Sequence, residues 1–171
     1  MRNLVYFFIL FIFCAIVSCK YPTEFQQVKS GHIELLVPPY VKKVDNLRDK
    51  TPVQYSSKYR NVYIVCWSEP KGTKTYETYY AEATGVILKA LEHGAISDSA
   101  TTNLNGLKQT ESELFGNMKD GPDVSTIYYR HVLKETADSY YQLCVWTRGQ
   151  DRYARYKDDI NKVLKSFKVN E

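Results

Sequence analysis

The sequence predicts an α+β fold, with an antiparallel sheet of about six strands flanked by two main helices. Two segments, 76–93 and 152–167, carry apolar side chains at helical spacing. Several other runs are β-branched or aromatic, or alternate apolar with polar residues. The later strand-like runs are joined by turns so short that neighbouring strands must be antiparallel. Sheet and helices each need one face covered, and packing them on one another is the economical solution.

The first strand is Gly31–Val37, with Ile33, Leu35 and Val37 on one face, and Pro38-Pro39 ends it because neither proline can donate to a ladder. Tyr40–Lys50 is charged and reads as a loop with a helical turn. Residues 52–57 and 62–68 follow as two strands around Lys58-Tyr59-Arg60-Asn61. Val62-Tyr63-Ile64-Val65-Cys66-Trp67 is apolar throughout, as expected of a central strand covered on both faces. Thr75 can cap a helix running to about His93, with Tyr76, Tyr80, Ala83, Ile87 and Leu91 as its buried stripe and Gly94 as its stop. Ala95–Thr102 reads as a small polar connection.

A three-strand meander comes next, over 104–115, 124–134 and 139–148, with Gly116–Asp123 as a turn-rich loop and Glu135–Asp138 as a tight turn. The closing helix, about 152–167, sets Tyr153, Tyr156, Ile160, Val163, Leu164 and Phe167 against a charged face of Lys157, Asp158, Lys162 and Lys165.

The amino terminus points to an address. One positive charge at Arg2 precedes an unbroken apolar run, Leu4–Val17, closed by Ser18 and Cys19. That pattern is a secretory signal peptide, and the run is short of the roughly 20 apolar residues of a membrane span. Ile16-Val17-Ser18-Cys19 resembles the bacterial lipobox. The resemblance implies cleavage before Cys19 and acylation of Cys19. The expected organisation is a signal peptide over 1–18, a lipidated tether over 19–30 and one α+β domain over 31–171. The alternative is a plain cleaved signal or an uncleaved anchor. A single acyl chain binds marginally, but several on one residue hold a protein on a bilayer. Lys20 is not the Asp that retains lipoproteins in an inner membrane, so in a cell with two membranes the expected address is the outer one.

Composition narrows the function classes. With 44% hydrophobic and 25% charged residues, the 171-residue chain is neither disordered nor fibrous. Without Arg2, 22 basic residues face 19 acidic ones, interspersed and with no basic stripe, so nucleic acid is not an expected partner. Cys66 and Cys144 are the cysteines beyond the tether, and an oxidising compartment makes them a candidate disulfide, two separate buried thiols being the alternative. No His/Cys cluster suggests a metal, no glycine-rich loop suggests a nucleotide, and neither a cofactor nor a catalytic residue is expected. His32, His93 and His131 are scattered, there is no G-x-S-x-G elbow, and Asp158 and Asp159 point about 100° apart on a helix. Tyrosine is frequent, at 15 residues. Tyr128, Tyr129, Tyr140 and Tyr141 form a candidate contact surface, since pleat alternation turns one of each pair outward. The competing reading packs them under the helices.

The order of elements, together with the lipobox, resembles the Mog1/PsbP-like α/β/α sandwich superfamily and its small bacterial lipoprotein members. The matching stretches are Ile33-Glu34-Leu35-Leu36-Val37-Pro38, Asn105-Gly106-Leu107, Tyr140-Tyr141-Gln142 with Trp146-Thr147, and Lys165-Ser166-Phe167. The resemblance implies a scaffold that acts mostly by binding. The expected function is a non-catalytic, lipid-anchored accessory module of the bacterial envelope with a protein partner there. The alternatives are a carrier of a small apolar ligand or lipid, which needs a cavity of about 300 Å³ or more, and, more remotely, an unrecognised hydrolase.

Overall fold

The computed structural model describes residues 23–104 and 106–170. Among these, ten strands and two helices form three layers. The strands are β1 (Gln26–Ser30), β2 (Ile33–Val37), β3 (Lys42–Lys43), β4 (Val53–Ser57), β5 (Val62–Pro70), β6 (Glu92–Leu104), β7 (Leu107–Asp120), β8 (Asp123–Glu135), β9 (Ser139–Arg148) and β10 (Lys168–Val169). The helices are α1 (Tyr76–Lys89) and α2 (Gln150–Ser166). Seven strands form one antiparallel sheet in the order β3-β4-β5-β9-β8-β7-β6, and β1-β2-β10 form a small second sheet. The strand count exceeds the six expected because β1, β3, β6 and β10 add to it, β3 lying in the Tyr40–Lys50 segment expected as a loop.

The principal core lies between the large sheet and a layer made of α2 and the small sheet. Ile33, Leu35 and Val37 of β2 meet Val62 and Ile64 of β5, Leu143 and Val145 of β9, and Ile160, Val163, Leu164 and Phe167 at the end of the chain. Each fully buried aliphatic or Phe side chain contributes about 1.5–3 kcal/mol. The α2 stripe falls where the helical period sets it, and its last turn is held by Lys134, whose Nζ donates to the Phe167 carbonyl at 2.6 Å. Phe25, just before β1, packs on this core beneath the Lys162 ammonium, 4.0 Å from the ring. Strand β1 occupies residues 26–30 of the expected tether. It is drawn out of that tether by full antiparallel pairing with β2, Gln26 opposite Val37 to Ser30 opposite Ile33.

Helix α1 covers part of the other face of the large sheet. Thr75 caps it, its hydroxyl accepting from the Thr78 amide at 3.3 Å. The helix ends at Lys89 rather than His93, and it buries Tyr76, Tyr79 and Thr84 rather than the stripe expected through Tyr80, Ala83 and Ile87, which is half-buried. The early stop comes from a close approach. A Cβ on Gly116 would sit 2.7 Å from Leu91 Cβ and 2.9 Å from Gly94 Cα, so the chain leaving α1 presses straight onto β7.

The segment expected as a polar connection, Ala95–Thr102, is the middle of β6. It is paired with β7 from Glu92 opposite Asn117 to Leu104 opposite Leu107, with register shifts between Glu92 and Ala95 and between Ile96 and Asp98. Asn105, expected within a strand, lies outside the described residues; Leu104 stands opposite Leu107, and Gly106 between them has a positive φ of 80°, as a tight hairpin turn requires. Strand β7 likewise runs on to Asp120, leaving only Gly121-Pro122 of the expected loop as its turn into β8.

Candidate binding cleft

Pleat alternation assigns every residue of the large sheet to one of its two faces. Trp67 and Glu69, two apart on β5, share the α1 face with Tyr140 and Gln142, two apart on β9. Between this face and the C-terminal half of α1 lies an open cleft of about 220 Å³. Its helix side is formed by Ala83, Val86 and Ile87 together with Glu82, which pairs with Lys74, and Val86 is 67% exposed. Its sheet side carries Trp67, Glu69 and Gln142, and Arg48 closes one end.

The Arg48 guanidinium lies 4.1 Å from the Trp67 ring centroid, and its Nη2 donates to Glu69 Oε1 at 3.0 Å. Trp67 Nε1 donates to the same oxygen at 3.1 Å. Buried Gln54 fixes the Arg48 loop, its Oε1 accepting from the Leu47 and Arg48 amides while its Nε2 donates to the Arg48 and Thr51 carbonyls. Deeper in, the Tyr79 hydroxyl faces the Glu69 carboxylate and accepts from Gln142 Nε2 at 2.7 Å. Burial, with the nearby Glu69 charge, pushes the Tyr79 phenol well above its ordinary value. Gln142 Oε1 is 3.1 Å from His131 Nε2, so the Nε2–H tautomer of the imidazole satisfies this bond. His131 is fully buried, and burial pushes it down to about 4. A continuous polar chain thus runs from a neutral core histidine to the mouth of the cleft.

A second set of hydroxyls seats α1 on β6 and β7. Tyr76 donates to Thr110 at 2.8 Å, and the Tyr80 hydroxyl lies 2.6 Å from that of Ser112 and 3.1 Å from that of Ser99.

The residues singled out from sequence fall in separate places. Cys19 lies outside the described residues. Cys66 and Cys144 are free and buried. They are not a disulfide, because Cys144 stands opposite Val65 while Cys66 stands opposite Leu143, so the two thiols point to opposite faces of the sheet. Burial raises both thiols, Cys144 to about 12 and Cys66 well above its ordinary value.

The four tyrosines do not make one surface. Tyr140 and Tyr141 are buried on opposite faces, Tyr140 stacked on Tyr79 at 4.3 Å with its hydroxyl donating to the Lys74 carbonyl. Tyr128 and Tyr129 are half-buried, Tyr128 stacked on Tyr153 at 4.7 Å and Tyr129 on Trp146 at 5.5 Å. Tyr128, Tyr140 and Tyr141 pack against helix residues, whereas Tyr129 lies against Trp146 of the sheet.

The three histidines are not brought together. His32 lies in the β1–β2 turn with Nδ1 2.6 Å from the Asn170 carbonyl, His93 is exposed on β6, and His131 is in the core. Asp159 accepts from the Tyr40 hydroxyl at 2.9 Å, while Asp158 is exposed. Among the described residues no group of three or more metal-ligating side chains converges. The cleft residues Arg48, Trp67, Glu69, Tyr79 and Gln142 were not singled out from sequence. The available signal was the two-residue spacing of Trp67 with Glu69 and of Tyr140 with Gln142 inside strands that otherwise read as core.

No family model matches the chain, and no curated protein matches it. Solved structures do. The cyanobacterial PsbP of a Synechocystis species superposes with a TM-score of 0.63 at 13% identity, covering 89% of this chain and 96% of that one. The Ran-binding protein Mog1p of Saccharomyces cerevisiae gives 0.55 at 12%, covering 86% and 96%. LpqN of Mycobacterium tuberculosis, described as involved in cell envelope biogenesis, gives 0.55 at 16%, covering 86% and 92%. Three layers, the seven-stranded antiparallel sheet and these superpositions identify the architecture of this chain as the Mog1/PsbP-like α/β/α sandwich.

Proposed function

We propose that this chain is a non-catalytic accessory module of the bacterial cell envelope, anchored by lipid at Cys19, that binds a protein partner through the α1 cleft. The observation that carries the cleft assignment is Val86, 67% exposed beside Ala83 and Ile87 on the helix side of a cleft whose sheet side carries an Arg48–Trp67–Glu69 cluster. An apolar anchor position beside a stacked Arg/Trp pair is the composition of energetic centres in protein interfaces. The signal-like leader and Ile16-Val17-Ser18-Cys19 support the address, and Lys20 favours the outer membrane of a two-membrane cell. Similarity of fold to a Ran-binding protein and to an envelope-biogenesis protein supports a binding role, although a shared fold is a weak warrant by itself.

The test is a photo-crosslinking residue at position 86 in intact cells, with position 124, also an exposed valine but outside the cleft, as control. One envelope protein captured reproducibly at 86 and lost on Trp67→Ala is the expected result; identical capture at both positions overturns the cleft assignment. The address is tested by labelling with a palmitate analogue, which is expected to mark the wild-type chain and to leave Cys19→Ala unmarked.

A further inference from the structure

The large sheet has two edges, and they are built differently. At one edge, β3 is two residues long and both are lysine. Short length and lysine are what keep an edge from pairing with another chain. At the other, β6 is 13 residues long, and no other described strand pairs with its outer side. Register shifts bend its first half, up to Asp98. From Asp98 to Leu104 the pairing with β7 is regular, and Ile96 through Asn103 are all exposed. This stretch, Ile-Ser-Asp-Ser-Ala-Thr-Thr-Asn, holds one charge, no lysine, no arginine and no proline. It leaves the outward N–H and C=O groups of a straight strand available for hydrogen bonding, framed by short β-compatible side chains.

We propose that β6 is an interface with a second copy of this chain, the two β6 strands pairing antiparallel about a twofold axis at Ala100. The register follows from steric and charge arguments. On a twofold axis a residue meets itself, and Ala100 is the smallest side chain in the straight stretch. With Ala100 on the axis, Ser99 stands opposite Thr101 of the second copy and Asp98 opposite Thr102, so the carboxylate meets a hydroxyl. A register centred on Asp98 instead sets two carboxylates face to face, which is destabilising. The result is a continuous sheet of 14 strands across two copies, closed by an isologous contact. It uses neither the α1 cleft nor Cys19, so it stands or falls independently of the proposed function.

The test uses the full chain purified in mild detergent, where Cys66 and Cys144 are buried. Directly opposed positions place their Cβ atoms about 4.5–5.5 Å apart, within reach of a disulfide after small adjustment. Under mild oxidation Ala100→Cys is expected to form a disulfide-linked dimer at least tenfold faster than Ser97→Cys or Asn103→Cys, which are equally exposed but lie far from their own copies in this register. Ala100→Lys sets like charges opposite across the axis while finding Glu111 opposite it on β7. It is therefore expected to leave folding intact by circular dichroism and to convert dimer to monomer in light scattering. Equal rates for the three cysteine variants, a faster reaction at 97 or 103, or a wild-type chain that is monomeric in light scattering overturns the proposal.

Discussion

Cys66 and Cys144 sit on adjacent central strands one register position apart, and that single step places their thiols on opposite sides of the sheet. Both are therefore expected to remain reduced even in an oxidising compartment. Titration with a thiol reagent should find them unreactive in the native chain and reactive after denaturation, with the same melting temperature with and without reductant. A Cys66–Cys144 bridge found by mass spectrometry of the native protein would contradict the strand register. Cys66→Ser, which buries a hydroxyl among apolar neighbours, is expected to cost about 1–3 kcal/mol in urea denaturation.

The polar chain beneath α1 predicts a specific pH dependence. His131 titrates near 4 in the folded chain and near its ordinary 6.5 when unfolded. Between those values the unfolded state binds the extra proton, so stability falls as pH falls. The His131 contribution is complete above about pH 6.5 and is lost progressively towards pH 4, by up to about 3 kcal/mol. Urea denaturation at pH 7.5 and at pH 5 should show this loss in wild type and a smaller one in His131→Gln.

Tyr79→Phe removes the hydroxyl that accepts from Gln142 and faces Glu69. It leaves Gln142 Nε2, in a side chain 4% exposed, without its partner. The expected cost is about 1–3 kcal/mol. Tyr79→Phe combined with Gln142→Leu should cost less than the sum of the single changes, because both groups of the bond are then removed.

Gly116→Ala tests the crossing at the end of α1. The added Cβ would overlap Leu91 and the Gly94 backbone, so one of the two segments must shift. A loss of about 1–3 kcal/mol is expected, with faster hydrogen exchange confined to the α1–β6 junction. An unchanged stability would mean that this junction is looser than its geometry implies.

The parts of this fold legible in the sequence are those that the core dictates. Strand β9 falls at its expected bounds, and α2 within two residues of them, because apolar period and burial coincide there. Strand β6 was missed for the converse reason. From Ile96 to Asn103 it is exposed, so no core face imposes an apolar alternation on its side chains, and the pairing is carried by the backbone and by the tight turn at Gly106. The α1 stripe was misplaced because this helix seats itself with hydroxyls, from Tyr76, Tyr79, Tyr80 and Thr84, and a hydrophobic count gives those no weight. The cleft was invisible for a related reason. Arg48 and Trp67 are 19 positions apart and meet only because Gln54 pins the intervening loop.

The placement of Phe25 governs how the molecule would stand. Its ring is pinned under Lys162 in the layer opposite α1, and the six residue steps from Cys19 to Phe25 allow a leash of at most about 22 Å. For the anchor proposed at Cys19, that leash leaves from the rear of the body. Acyl chains would hold the α2 side down on the lipid, leaving the helix with Val86 facing up into the aqueous space, where a passing protein could reach it.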